Sequence, residues 1–150
     1  MKALTLWQPW ASFVAHGLKT IETRSWGTNY TGWLAVHAAK TFPPGARQLC
    51  KSEPFSGWLK RLGLTIDTLP HGVVVCRAQL IYAFRITPAS LIHEFDRQFG
   101  NFAHGRYAWV LGAIVAYPDP IPARGRQGLW NWDEPHFVRA VSVKKYEHKE

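Results

Sequence analysis

Two long stretches commit this chain to a sheet. "HGVVVCRAQLIYAFRI", from His71 to Ile86, and "RYAWVLGAIVAY", from Arg106 to Tyr117, are rich in β-branched and aromatic residues, which pack well on a pleated surface. Shorter runs of the same kind, Thr20 to Trp26 and Trp33 to Ala39, flank the turn-rich "GTNYTG". Helical signals are few. "QPWASFVAHG" sets Pro9 in a first helical turn, spaces Trp10, Phe13, Val14 and Leu18 along one face and offers Gly17 as a stop. Further helix is expected over Ala46 to Leu62 and Ala89 to Phe99. Because strands and helices do not alternate regularly, an α+β fold, a compact sheet or small barrel with peripheral helices, suits the order better than a parallel βαβ array. At 150 residues the chain is most simply one domain, 1–150, large enough to bury about two-thirds of its unfolded surface without a disulfide or metal staple.

Charge narrows the partner. Eighteen Lys and Arg against ten Asp and Glu leave a net charge of +8, which favours an anionic partner such as nucleic acid or a membrane surface over an acidic protein. Gln8 and Ser12 interrupt any signal-peptide pattern, and the apolar run from Tyr107 to Tyr117 is too short for a membrane span. No membrane partner is expected. Cys50 and Cys76 lack CxxC spacing and suit a reducing compartment, so the cytoplasm is the expected location. The histidines have no metal-ligand spacing with each other or with the cysteines, and neither metal nor cofactor is expected.

The chemistry concentrates in "GLKTIETRSW", Gly17 to Trp26. On a strand, Thr20, Glu22, Arg24 and Trp26 share one face while Ile21, Thr23 and Ser25 take the other. Lys19, at the helix–strand junction, reaches toward the first face. A carboxylate between two cations stays ionised and orients the guanidinium, leaving donors for a phosphate or a base edge. The plain alternative is an exposed ion-pair ladder worth at most about 1 kcal/mol.

Aromatics strengthen the first reading. Trp7, Trp10, Trp26 and Trp33 surround these charges, and Trp130 and Trp132 follow the basic loop "ARGRQG" with Arg124 and Arg126. Cations interleaved with flat rings match single-stranded nucleic acid: charge for the backbone, and stacking worth about 1–3 kcal/mol per base. Trp7, Trp33 and Trp109 are expected in the core. "GRQG" lacks the helical flanks of a KH clamp, and Glu94 and Asp96 have no partner at a catalytic spacing.

"LWQPWASFVAHGLKTIETRSW", "GWLAVHAAK" and "RYAWVLG…PIPARGRQGLWNW" together resemble the ASCH (activating signal cointegrator homology) domain, with its Gln-Pro-Trp helix start and Gly-x-Lys-x-x-Glu-x-Arg motif. The resemblance implies a small PUA-like β-barrel with peripheral helices and a basic cleft that contacts RNA or DNA. Carried over by position, that cleft is lined by Gln8, Trp10, Lys19, Glu22, Arg24, His37, Lys40, Arg126 and Trp130, and Trp26 joins them as a residue expected at the ligand. Three of them also have a plainer role: Gln8 caps a helix, His37 is a hydrogen-bonded sheet residue, Lys40 ends a strand.

Two function classes follow. One is a reader of RNA or another nucleic acid, with Lys19, Arg24, Lys40 and Arg126 on phosphates and Trp10 or Trp26 on a base. The other is a metal-independent hydrolase acting on RNA or a modified nucleoside, as the resemblance to ribonuclease-like and acetylcytidine-deacylating relatives implies. Lys19 and Glu22 are then catalytic, Lys19 as a neutralised amine and Glu22 as proton shuttle. This sequence has Glu22 where the deacylating branch has a threonine, which counts against deacylation. A protein-interaction module leaves the charged face without a ligand.

Overall fold

In the computed structural model, which describes residues 1–148, the chain runs β1 (Lys2–Leu6), α1 (Trp10–Ala15), β2 (Ile21–Arg24), β3 (Gly32–Ala38), α2 (Pro44–Leu49), α3 (Phe55–Arg61), a 3-10 turn (Ile66–Thr68), β4 (Val73–Arg85), α4 (Glu94–Arg97), β5 (Tyr107–Pro122), β6 (Trp130–Asn131) and β7 (Val141–Val143). The two long runs are β4 and β5, paired antiparallel along most of their length. Around them a seven-stranded sheet forms in the order β2-β5-β4-β3-β1-β6, with β7 also on β5. β1 and β3 run parallel, while the other ladders are antiparallel.

The fold is α+β, but the expected barrel is not closed by hydrogen bonds. β2 and β6 are the two ends of the pairing path, and no ladder joins them among the described residues. Nor is α1 peripheral. Its Ala11, Val14 and Ala15 pack with Leu4, Leu6, Leu34, Val36 and Trp109 in the largest core cluster. The opposite sheet face buries Ala3, Ala35, Val74, Tyr117, Trp130 and Trp132, so β1 and β3 send alternate residues to two cores, as a period of two requires. A third cluster joins Phe13 and Leu18 to Phe55, Leu59 and Phe99.

Other expectations need correcting. The helix expected over Ala46 to Leu62 is two helices broken between Cys50 and Pro54, because Pro54 has no N–H to continue a helix. The one expected over Ala89 to Phe99 shrinks to α4, whose N-cap His93 accepts from Phe95 N at 3.1 Å. Strand β1 has no strong signal of its own and is made a strand by pairing with β3 and β6. Of the tryptophans expected in the core, Trp109 is fully buried, but Trp7 is 54% exposed. Trp33 is half-buried beneath the Arg77 guanidinium, 4.8 Å from its ring centroid. Among the described residues no helix is long and apolar enough to cross a membrane.

Candidate functional site

The junction after α1 explains the first charged residue. Gly17 takes φ +76°, and its N–H donates to Val14 O while Leu18 N–H donates to Phe13 O, both at 2.9 Å. This is the paired bonding of a Schellman stop, with the Leu18 and Phe13 side chains in one cluster. The turn aims Lys19 inward. Its ammonium is 1% exposed and donates to Ile21 O at 2.7 Å and Phe99 O at 2.8 Å, with Glu22 Oε1 at 3.3 Å. Burial lowers the Lys19 pKa, and the Glu22 carboxylate opposes that shift. Three acceptors meet its three N–H donors.

Glu22 divides its oxygens. Oε1 faces Lys19 and Oε2 lies 3.2 Å from Arg24 Nη2, so the alternation read from the strand holds for this pair. Arg24 Nη2 also donates to Thr5 O at 2.7 Å, tying β2 to β1. Arg24 Nε is buried with no hydrogen-bond partner. The opposite-face residue Thr23 accepts from Asn101 N at 3.2 Å, fixing the segment whose Phe99 carbonyl holds Lys19.

A second assembly stands beside it. Trp130 Nε1–H donates to Thr5 Oγ1 at 3.2 Å. Thr5 Oγ1 is 3.2 Å from His37 Nδ1, and His37 Nε2 is 2.8 Å from Ala123 O. A carbonyl can only accept, so Nε2 carries the proton, Nδ1 is the acceptor, and Thr5 donates to it. Burial holds the His37 imidazole below its ordinary pKa, in keeping with a neutral ring. The ladder of β3 with β4 shifts register between Val36 and His37, the local kink by which a bulge re-aims a side chain. Over this ring lies Gly125: a Cβ there would meet His37 Cε1 at 2.6 Å and Thr5 Oγ1 at 2.9 Å. Glycine is what lets the Arg124–Arg126 loop lie against the ring.

Both assemblies border one cleft of about 1910 Å³ beyond the C-terminal ends of β1 and β3. Of the residues expected there, Trp10, Glu22, Arg24, Trp26, His37, Lys40 and Arg126 line it. Three do not. Gln8 is fully buried, donating to Ser12 Oγ and Pro70 O at 2.8 Å and accepting from Ser12 N at 3.0 Å, so it caps α1 and pins the loop before β4. Trp130 is 8% exposed and lies behind His37, edge to face at 5.6 Å. Lys19 is sealed beneath Glu22. Sequence reasoning missed Trp7, Thr5, Arg106 and Gly125, all of which line the cleft. The basic "ARGRQG" loop contained a signal for Gly125, whereas Thr5 carries none that its own neighbours in sequence reveal.

Compared with known families, residues 4–110 match the ASCH domain. The chain belongs to the ASCH family. Within it, a segment of 48 residues is 42% identical to human activating signal cointegrator 1, covering 31% of this chain and 8% of that protein. This ASCH chain therefore spans a small part of that relative's length. Among solved structures, ASCH from Zymomonas mobilis is 15% identical with a TM-score of 0.48, covering 89% of this chain and 87% of that one. A point mutant of the same bacterial protein gives 0.47, also at 15% identity, covering 89% of each chain.

Proposed function

We propose that the cleft binds nucleic acid, in the form of single-stranded RNA, and holds it without cutting it. The observation that carries this reading is the charge balance of the lining: Arg24, Lys40, Arg106, Arg124 and Arg126 against two carboxylates, Glu22 and Glu53. Glu22 is already shared between Lys19 and Arg24, and Glu53 accepts from Ser56 Oγ at 2.9 Å. The surplus is positive, and phosphates are the ligand that uses it. Arg24 is 25% exposed, and its contacts with Glu22 and Thr5 both engage Nη2, so the rest of the guanidinium's outer edge retains donor capacity.

A hydrolase built on Lys19 and Glu22 asks Lys19 for a lone pair. An ammonium that gives all three protons to Ile21, Phe99 and Glu22, and that no ligand reaches, favours a positioning role instead. On this reading Lys19 fixes Glu22, Glu22 fixes Arg24, and Arg24 meets the ligand. The test is fluorescence anisotropy of short single-stranded RNA titrated with the full chain at low salt, followed by recovery of the strand on a denaturing gel. Saturable binding with intact RNA is expected. Absence of binding at low salt, or metal-independent cleavage or deacylation by wild type, rejects the reading.

A further inference from the structure

We propose that Trp7 is the platform on which a base of the bound strand stacks, an assignment that rests on the nucleic-acid reading of the cleft. The sequence points to Trp10 and Trp26 for this role, and both have their rings engaged. Trp10 meets Phe55 edge to face at 5.7 Å and packs against two core clusters. Trp26 meets Trp109 edge to face at 4.8 Å and 88°, at the margin of the main core. Each is half-buried, with part of its ring surface already packed against the core.

Trp7 is different. It lines the same cleft, 54% exposed, and among the described residues it forms none of the ring pairs that hold Trp10 and Trp26. Its backbone is nevertheless fixed: it directly follows β1, and its carbonyl accepts from Ala11 N at 3.2 Å at the start of α1. Thr5, two positions earlier, lines the cleft beside the Arg124–Arg126 loop. A single exposed ring on an open surface needs no explanation. An indole on a rigid junction, within a cleft lined by surplus cations, offers a base its π-face and the adjoining phosphates their charge together.

The experiment compares two labelled strands of equal length, a single-stranded RNA and its abasic counterpart, each titrated with wild type, Trp7→Ala, Trp7→Leu and Trp7→Phe. Both Ala and Leu should weaken RNA binding by about 5- to 150-fold, the equivalent of ~1–3 kcal/mol of stacking per base. Both should leave the abasic strand within about two-fold of wild type, because phosphate contacts persist. Phe, which keeps a ring, should recover most of the loss. Wild-type affinity for RNA in Trp7→Ala and Trp7→Leu, or equal losses on both strands, overturns the role of Trp7 while the cleft reading stands. Failure of wild type to bind either strand overturns both.

Discussion

The Lys19 ammonium lies 3.3 Å from Glu22 Oε1, yet only Glu22 lines the cleft. The lysine is the foundation of the charged motif, not its contact surface. Lys19→Met removes the charge that holds Glu22 and strands two backbone carbonyls, so it should destabilise the fold by about 3–5 kcal/mol, as breaking a buried pair does. Lys19→Arg keeps the charge but brings a broader group into a site with 1% exposure, and should also lose stability, through overpacking, by about 1–3 kcal/mol. Urea unfolding of the purified variants measures both. A Lys19→Met midpoint equal to that of wild type sinks the foundation role.

Exposed cations should behave otherwise. Lys40 and Arg126 line the cleft from different loops, and neither is buried. Lys40→Ala and Arg126→Ala should each leave stability within ~0.5 kcal/mol and weaken RNA binding across sequences. Each should make the log–log salt slope less negative by about 0.7, the share of one phosphate on a single strand. With about four contacts in wild type the slope is expected near −3. Anisotropy titrations over a range of KCl concentrations give both quantities. A wild-type slope near zero counts against phosphate-dominated binding.

Gly125→Ala tests the loop by geometry alone. The new methyl would lie 2.6 Å from His37 Cε1 and 2.8 Å from Nδ1, so the loop must lift and carry Arg124 and Arg126 with it. RNA affinity should fall at least as far as in Arg126→Ala, although no charge is removed. Unchanged affinity and an unshifted His37 ring signal by NMR would show that the loop is not seated on the ring.

The pH response has a defined sign. Burial lowers the folded-state pKa of His37, so the unfolded chain takes up its proton first as pH falls. The contribution is fully present above the ordinary histidine pKa of about 6.5 and is lost as pH falls below it toward the folded-state value. His16 is lowered in the same direction by burial, whereas burial raises Asp96 and pulls the other way. The His37 share is therefore read by difference: the loss of thermal stability between pH 7.5 and 5 should be smaller in His37→Gln than in wild type. Equal losses would remove His37 from the acid response.

How much of this was legible in the sequence follows from the range of the interactions. Period and turn chemistry located β4, β5 and the α1 stop, because β-branching and Gly17 act locally. Alternation placed Glu22 and Arg24 on one face, and seven of the ten expected positions line the cleft. Depth was not legible: Lys19, Gln8 and Trp130 carry polar or amphipathic groups that look like contact residues, and partners such as Phe99 O, Pro70 O and Thr5 satisfy them from far along the chain. The same limit misplaced Trp7, whose size suggests a core that never closes over it.

Thr5 has one further consequence. Its hydroxyl accepts from Trp130 and donates to His37, so three positions scattered through the chain share a single proton pattern. Replacing Thr5 with valine strands both neighbours at once, and altering either neighbour leaves the hydroxyl without a match. Over descent such positions are inherited as a set: lineages that change residue 5 should change 37 and 130 with it, leaving a correlated trace that no one of the three would leave alone.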